Sequence, residues 1–90
     1  MRLTRSTDGV HKWVAEFDDG THTRFGAIGY DDYTTGHDQD QRLRYLTRHS
    51  KNENWNNPKS AGALSRWILW GGSTSIETNL ASFKRRFPHV

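Results

Sequence analysis

The sequence contains no cysteine and no long hydrophobic run. The missing cysteine excludes a disulfide framework, a thiolate nucleophile and a cysteine-ligated zinc site. No apolar stretch approaches the ~18 residues that a membrane-spanning helix needs, and the first five residues carry no apolar signal core. We therefore expect a soluble protein that has no membrane partner and stays inside the cell that makes it.

Aliphatic residues are also scarce. Hydrophobic residues make up 32% of the 90-residue chain, against roughly 45–50% in a typical globular protein. Four Trp, four Phe and three Tyr partly compensate, because each aromatic side chain buries on the order of 150–250 Å². The length allows one domain, residues 1–90, with a thin aromatic core whose stability can depend on self-association.

Motifs that carry enzymatic chemistry are missing. The five histidines are scattered: His11, His22, His37, His49 and His89. None has the spacing that places two metal ligands on one helical face, and no glycine-rich phosphate loop or nucleophile elbow is present. Asp31 and Asp32 are better explained as turn carboxylates that accept backbone N–H groups than as a nuclease metal site. We therefore expect no enzyme activity, no catalytic residue, no metal site and no cofactor.

The first regular element is a β-hairpin over about residues 10–27. Trp13, Ala15 and Phe17 alternate with polar residues, which is the two-residue period of a strand with one buried face. An Asp-Gly step and a Thr-rich segment follow, and Asp-Gly is a strong signal for a tight hairpin turn. Because an isolated hairpin is only marginally stable, its apolar face must pack on the rest of the chain.

A loop and a first helix come next. Residues 28–37 contain several glycines and two tyrosines, which is typical of a structured loop. A helix follows over about residues 38–49, with Asp38 as its predicted N-cap. Leu43 and Leu46 are its predicted buried stripe.

Two further helices complete the predicted helical part, residues 38–87. Ser60 is the predicted cap of a helix from Ala61 to Trp70 that is apolar on more than one side. Thr74 and Glu77 have the spacing of a capping box for the last helix. The apolar residues of that helix recur at helical spacing: Ile76, Leu80, Phe83 and Phe87. The order of elements predicts an α+β domain in which an N-terminal β-hairpin packs on about three α-helices.

Charge is distributed unevenly between the two parts of the chain. Residues 1–35 carry four Lys/Arg against six Asp/Glu, a net charge of −2, whereas residues 36–90 carry nine against four, a net charge of +5. A basic C-terminal part favours an anionic partner, either nucleic acid or an acidic protein surface. The alternative is that a total of +3 is ordinary solubilising charge.

Five basic residues on two predicted helices are the candidate anion-binding or partner-binding residues. They are Arg44, Arg48, Lys84, Arg85 and Arg86. Like charges four residues apart on a helix repel slightly unless an anion offsets them, which is what a phosphate- or carboxylate-binding face looks like. The alternative is a solvated helix face. Trp55 and Trp70 are candidates for exposed aromatic contacts, although the shortage of aliphatic residues favours core filling as their role.

Six short stretches between residues 12 and 87 carry a resemblance. They are Phe25–Ala27, Asp32–Thr34, Arg44–His49, Glu53–Pro58, Ala61–Trp70 and Phe83–Phe87. In this order they resemble a small protein family found in giant viruses and other large DNA viruses. Similar sequences tend to have a Lys-Pro step where this chain has Gly71-Gly72, a difference that falls in a predicted loop.

The resemblance implies a viral origin and a non-enzymatic role. One implied role is that of a small structural protein, a minor component of the virus particle that binds other virion proteins through aromatic and basic surface. The alternative is a basic protein that binds nucleic acid and packages or shields the viral genome. The modest net charge favours the structural role. The implied locations are the virion and, during assembly, the interior of the host cell, either cytoplasm or nucleus.

Overall fold

The computed structural model describes residues 1–90 as a small sheet followed by helices. The strands are β1 (Arg2–Arg5), β2 (His11–Glu16) and β3 (His22–Ala27). The helices are α1 (Tyr33–Gly36), α2 (Gln39–His49), α3 (Ala61–Leu64) and α4 (Ile76–Arg86), and α3 continues directly into a π-helical segment, Ser65–Leu69. The predicted α+β class is confirmed. None of the helices has the length and apolar character needed to span a bilayer.

The sheet is antiparallel, with strand order β1-β2-β3. The pairing of Trp13 with Phe25 confirms the predicted hairpin. The edge strand β1 was not predicted, because Leu3 is its only apolar residue. An ion pair joins β1 to β2, with the Nη2 atom of Arg2 2.9 Å from Oε2 of Glu16. The sheet therefore has three strands rather than the two of a hairpin.

The core is formed where the sheet meets the later helices. Its nine clustered buried residues come from every layer of the fold: Ala15, Phe17, Phe25, Tyr45, Leu64, Ile68, Leu69, Trp70 and Phe83. Five of these nine are aromatic, as the shortage of aliphatic residues predicts. The rings of Tyr45 and Trp70 stack with their centres 4.3 Å apart and their planes at 8°. This stack ties α2 to the end of the π-helical segment.

The buried face of α2 differs from the predicted one. Tyr45 is buried and Leu46 is half-buried, whereas Leu43 is 49% exposed, so its assignment to the buried stripe was wrong. The face that packs follows Gln41, Tyr45 and His49 at helical spacing. Because most residues on this face are polar, a pattern based on hydrophobicity pointed to the solvent side instead.

The second predicted helix is present, but its last turns are wider than an α-helix. Ser60 caps it as predicted, since its Oγ accepts a hydrogen bond from the Ala63 amide at 3.1 Å. At the other end, the Trp70 amide donates to the Ser65 carbonyl, five residues back, at 2.9 Å. This π-helical turn is of the kind often found at functional sites.

The last helix begins one residue later than predicted. Its N-cap is Ser75 rather than Thr74, because the Ser75 Oγ accepts the Thr78 amide at 3.2 Å. The predicted docking face is confirmed. Phe83 is buried, the other three predicted apolar residues are half-buried against the core, and α4 packs on the π-helical segment.

The loop between the sheet and α2 contains the unpredicted one-turn helix α1. Asp32 caps it by accepting the Thr34 amide at 2.8 Å, while the Thr35 hydroxyl accepts the Asp32 amide at 3.0 Å. Asp32 is 2% exposed and pairs with Lys12 at 2.8 Å. This carboxylate therefore has the turn-forming role that the sequence predicted for it.

Replacing Phe83 tests the core assignment. Phe83→Ala is expected to lower the free energy of unfolding by about 3–5 kcal/mol, because it leaves a cavity between α4 and the π-helical segment. The matched control is Leu43→Ala on the exposed face of α2, which should change that free energy by less than about 0.5 kcal/mol. Urea denaturation of the two variants and the parent measures both. Equal stability of the two variants contradicts this core.

Candidate anion-binding site

Most carboxylates of the chain already have a cationic partner, and these pairs lie mainly on the sheet and its loops. The seven ion pairs are Met1 N-terminus–Asp18, Arg2–Glu16, His11–Asp8, Lys12–Asp32, Arg24–Asp8, His49–Glu53 and Lys59–Asp19. None of them includes an arginine of α2, of the π-helical segment or of α4. The excess positive charge of residues 36–90 is therefore not neutralised within the chain.

The five predicted anion-binding residues are all exposed, and none of them forms an ion pair. The structure does not gather them into one concavity. Arg48 lines a cleft between α2 and the sheet, whereas Arg85 and Arg86 line a separate pocket beside the π-helical segment. Arg44 and Lys84 line neither. The set is thus a basic surface spread over two helices, which we call the helical basic surface.

The pocket beside the π-helical segment contains two further arginines. Four arginines line it, namely Arg42, Arg66, Arg85 and Arg86, together with Trp67, Ser82 and the backbone of Gly71 and Gly72. We call it the arginine pocket. Its volume is about 670 Å³, and no carboxylate lines it. Guanidinium groups bind oxyanions through paired N–H donors, so the composition of this pocket suits an anion.

Two of these arginines are held by the carbonyl end of the π-helical segment. The Nε of Arg42 donates to the carbonyl oxygens of Trp70 at 3.2 Å and Gly71 at 2.8 Å. The Nη1 of Arg66 donates to the same Trp70 oxygen at 3.1 Å. The last carbonyls of a helix lack intrahelical partners and form the negative end of its dipole, which favours cations there. One carbonyl thus holds two guanidinium groups close together.

Trp67 brings a third guanidinium into the cluster. The Cζ atoms of Arg66 and Arg86 lie 4.2 and 3.8 Å from the centre of its ring. The indole N–H donates to the Trp55 carbonyl at 2.9 Å, which fixes the ring orientation. Arginines prefer the face of Trp, where the ring quadrupole attracts the cation. Trp67 is therefore in contact with both Arg86, from α4, and Arg66, from the π-helical segment, and their Cζ atoms are no more than about 8 Å apart.

The electrostatics of Arg66 reflect this crowding. Burial lowers the pKa of its guanidinium, and the positive charges of Arg42 and Arg86 lower it further. The Nε of Arg66 is buried and has no hydrogen-bond partner. A buried donor without an acceptor and the closeness of three like charges, those of Arg42, Arg66 and Arg86, are both unfavourable in the free protein. An anion in the pocket would offset the repulsion among the three guanidinium groups.

The two tryptophans predicted as contact residues have other roles. Trp70 is 7% exposed and stacks on Tyr45, so it is not an exposed contact, and the core-filling role that the sequence favoured for it is confirmed. Trp55 is half-buried, and its indole N–H donates to Oε2 of Glu53 at 3.0 Å. Its ring centre lies 5.1 Å from Cζ of Arg66. Trp55 therefore contacts Arg66 without lining the arginine pocket.

A second concavity lies between the sheet, α2 and α3, with a volume of about 600 Å³. Its ionisable groups are mostly paired. Lys12 contacts Asp32 at 2.8 Å, and Nδ1 of His49 lies 2.5 Å from Oε1 of Glu53. Tyr45 lines this cleft, and the pKa of its phenol is raised mainly because the group is buried. Because its charges are satisfied internally, this cleft is less suited to a charged partner than the arginine pocket.

Sequence reasoning missed Arg42 and Arg66. Arg42 was treated as flanking the stripe of α2, and its two carbonyl acceptors lie 28 and 29 residues away in the chain. Arg66 lies within the most apolar segment, between Leu64 and Trp67. A lone arginine in so apolar a helix is the one signal that indicates a partly buried, functional guanidinium.

Removing the Arg42 guanidinium tests its role in holding the carbonyl end of the π-helical segment. Arg42→Met keeps most of the aliphatic stem and is expected to lower the free energy of unfolding by about 1.5–3 kcal/mol, because charge-assisted hydrogen bonds are lost. Arg44→Met, two residues away and exposed, should cost less than about 0.5 kcal/mol. Thermal and urea unfolding of both variants measure the difference. A loss of the same size in both would show that the carbonyl contacts are not stabilising.

The comparisons with known proteins concern mainly the N-terminal part of the chain. The match to a family of unknown function (DUF5754) covers residues 1–49, which is more than half of the sequence and includes the sheet, α1 and α2. No curated protein and no solved structure matches the chain. Of the arginine pocket, only Arg42 lies within the matched residues. The extent of the match places the chain in a family: it belongs to the family of unknown function DUF5754.

Proposed function

We propose that this protein is a small non-enzymatic binding protein that holds an acidic partner protein against its helical basic surface. The resemblance described above suggests that it is a minor structural component of a virus particle, and that its partners are other virion proteins. Its locations would then be the virion and, during assembly, the interior of the host cell. The proposal does not involve a cofactor or a membrane.

One observation carries the proposal: no arginine or lysine of α2 or α4 has a carboxylate partner within the chain. Ten acidic residues are available, and the six of them that form ion pairs do so with the sheet, the N-terminus, His49 and Lys59. Arg44 and Arg48 are four residues apart on one helix face, an arrangement of like charges that costs a few tenths of a kcal/mol when unliganded. A complementary acidic surface offsets this repulsion and brings electrostatic steering as well.

An acidic protein surface fits these features better than nucleic acid. The net charge is only +3, and proteins that hold single strands combine basic grooves with open aromatic rings on which bases stack. The ring of Trp67 already carries two guanidinium groups, and Trp70 is buried. Nucleic acid is the other anionic partner that exposed arginines suit, and the dependence of binding on salt distinguishes the two.

Neutralising the helical basic surface tests the proposal. The variant replaces Arg44, Arg48, Lys84, Arg85 and Arg86 by Gln, and it is expected to keep its melting temperature within a few degrees while losing incorporation into virus particles. The matched control removes the same number of charges elsewhere, at Arg2, Arg5, Arg24, Lys51 and Lys59, and should be incorporated normally, because exposed ion pairs contribute little to stability.

Two outcomes would contradict the proposal. Normal incorporation of the helical variant would show that the helical basic surface only keeps the protein soluble and does not bind the partner. The genome-binding role would be supported instead if the parent protein binds duplex DNA, with a log–log salt slope whose magnitude is roughly 0.9 for each phosphate neutralised. The helical variant would then lose both this DNA binding and its incorporation into particles.

The non-enzymatic part of the proposal is tested separately. The parent protein is expected to leave DNA and RNA intact in the presence of Mg²⁺ or Mn²⁺, because no pair of carboxylates converges on an open site. Cleavage is followed on gels over hours with purified protein. Asp31→Ala is the informative variant, since Asp31 is exposed while Asp32 is buried in the cap of α1. Metal-dependent cleavage that disappears in this variant would overturn the proposal.

A further inference from the structure

We propose that the arginine pocket is a discrete binding site for a phosphomonoester dianion, and that the group is carried by a phosphorylated serine or threonine of the protein partner. The proposal extends the proposed function, because it names the chemical group with which an acidic partner would be anchored. The pocket is distinct from most of the helical basic surface, since Arg42 and Arg66 lie outside that surface. The two proposals can therefore fail independently.

The donors in the pocket exceed the acceptors that the protein supplies. A guanidinium carries five N–H donors and no acceptor. Within the four arginines, only three nitrogen atoms donate to the protein: Nε of Arg42, Nη1 of Arg66 and Nη2 of Arg85, which bonds Oγ of Ser82 at 3.1 Å. Arg86 makes no hydrogen bond, and the buried Nε of Arg66 has no partner. No carboxylate lines the pocket, so the remaining N–H groups of these arginines have no acidic partner within the chain.

The carbonyl end of the π-helical segment accounts for only part of this cluster. Its Trp70 and Gly71 oxygens explain why Arg42 and one edge of Arg66 are there. They do not explain why Arg86 is stacked on the same ring as Arg66, 3.8 Å from its centre, with no acidic residue in the lining. A purely structural cap needs one cation, since a helix end carries about half a unit of negative charge. Four cations are an excess that a ligand offsets.

The charge of the pocket indicates the class of anion. A single carboxylate brings one negative charge, whereas a phosphomonoester brings about −1.5 to −2 at pH 7 and three acceptor oxygens. Clusters of arginines are a recurring means of recognising phosphorylated segments. A volume of about 670 Å³ leaves space for the residues that flank the phosphate. A nucleotide is disfavoured, because a base would need an open aromatic ring and Trp67 already contacts Arg66 and Arg86.

Gly72 provides a way to block the pocket without disturbing the fold. It lines the pocket, it has no positive φ angle, and a Cβ added there would meet no atom within 4 Å. A Cβ at the neighbouring Gly71 would lie 2.5 Å from the Trp67 carbonyl oxygen. Gly72→Glu therefore adds an internal carboxylate to the pocket, and Gly72→Gln adds a side chain of the same shape without the charge.

The experiment is a calorimetric titration of the full chain at pH 7.5 with inorganic phosphate, O-phosphoserine and acetate. Phosphate and phosphoserine are expected to bind at one site at least about tenfold more tightly than acetate, a difference of about 1.4 kcal/mol. Affinity for O-phosphoserine should fall as the pH is lowered through about 6, where its phosphate dianion takes up a proton. Equal affinity for phosphate and acetate would overturn the proposal.

Variants then assign binding to this pocket. Arg66→Gln and Gly72→Glu are expected to weaken phosphate binding about tenfold or more. Lys51→Gln, at an exposed residue outside both the pocket and the helical basic surface, should change it less than about twofold, and Gly72→Gln should weaken it less than Gly72→Glu does. The melting temperature of each variant is measured first, and if Arg66→Gln does not fold, the two Gly72 variants decide the question. Loss of binding in Lys51→Gln that equals the loss in Gly72→Glu would mean non-specific attraction and overturn the site.

The carrier of the phosphate is decided by a third comparison. A short peptide with one phosphoserine should bind more tightly than the same peptide with glutamate, and more tightly than a 5′-phosphorylated oligonucleotide of similar length. Tighter binding of the oligonucleotide would overturn the assignment to a protein partner. A Gly72→Glu variant that binds no phosphate yet is incorporated into particles would overturn the proposal of a phosphorylated anchor and leave the proposed binding function intact.

Discussion

The carbonyl end of the π-helical segment is the feature on which the rest of this small domain depends. Its Trp70 ring stacks on Tyr45 of α2, and its Trp70 oxygen accepts hydrogen bonds from Arg42 and Arg66. Asn79 of α4 is buried and donates to the Ile68 carbonyl at 2.9 Å and to the Ser73 carbonyl at 2.7 Å. Two helices are thereby fastened to one set of orphan carbonyls, which satisfies polar groups that would otherwise be costly to bury. In a chain with so few aliphatic residues, these polar contacts supplement a thin core.

The same feature generates the charge pattern that motivates the functional proposals. Carbonyls at a helix end attract cations, and here they draw one arginine from α2 and one from the π-helical segment to a single point. Trp67 then adds Arg86 from α4. No carboxylate lines the pocket beside these arginines, and most of the carboxylates that form ion pairs do so on the sheet and its loops. A structural requirement for a capped helix end has thus produced a pocket with surplus positive charge, and this surplus is what a partner can use.

Local patterns made part of this architecture predictable. The hairpin followed from alternation and an Asp-Gly step, and the caps at Asp38 and Ser60 followed from residue type and spacing. The strand β1 could not be predicted from a single leucine, because its pairing depends on a neighbour already in place. Leu43 was assigned to the core because it is apolar, whereas the face of α2 that packs on the core is mostly polar. The sequence could not show that Arg42 and Arg66 lie close together, because only the fold brings both of them to the Trp70 carbonyl oxygen.

The central physical claim is that the arginine pocket binds an oxyanion that the chain itself does not provide. The most direct measurement follows the side-chain Nε–H resonances of the arginines by NMR while phosphate is added at constant ionic strength. The account predicts that Arg66, Arg85 and Arg86 shift together and saturate with one dissociation constant, while Arg2 and Arg24 on the sheet do not. Small, unsaturated shifts of the same size at all arginines would contradict it.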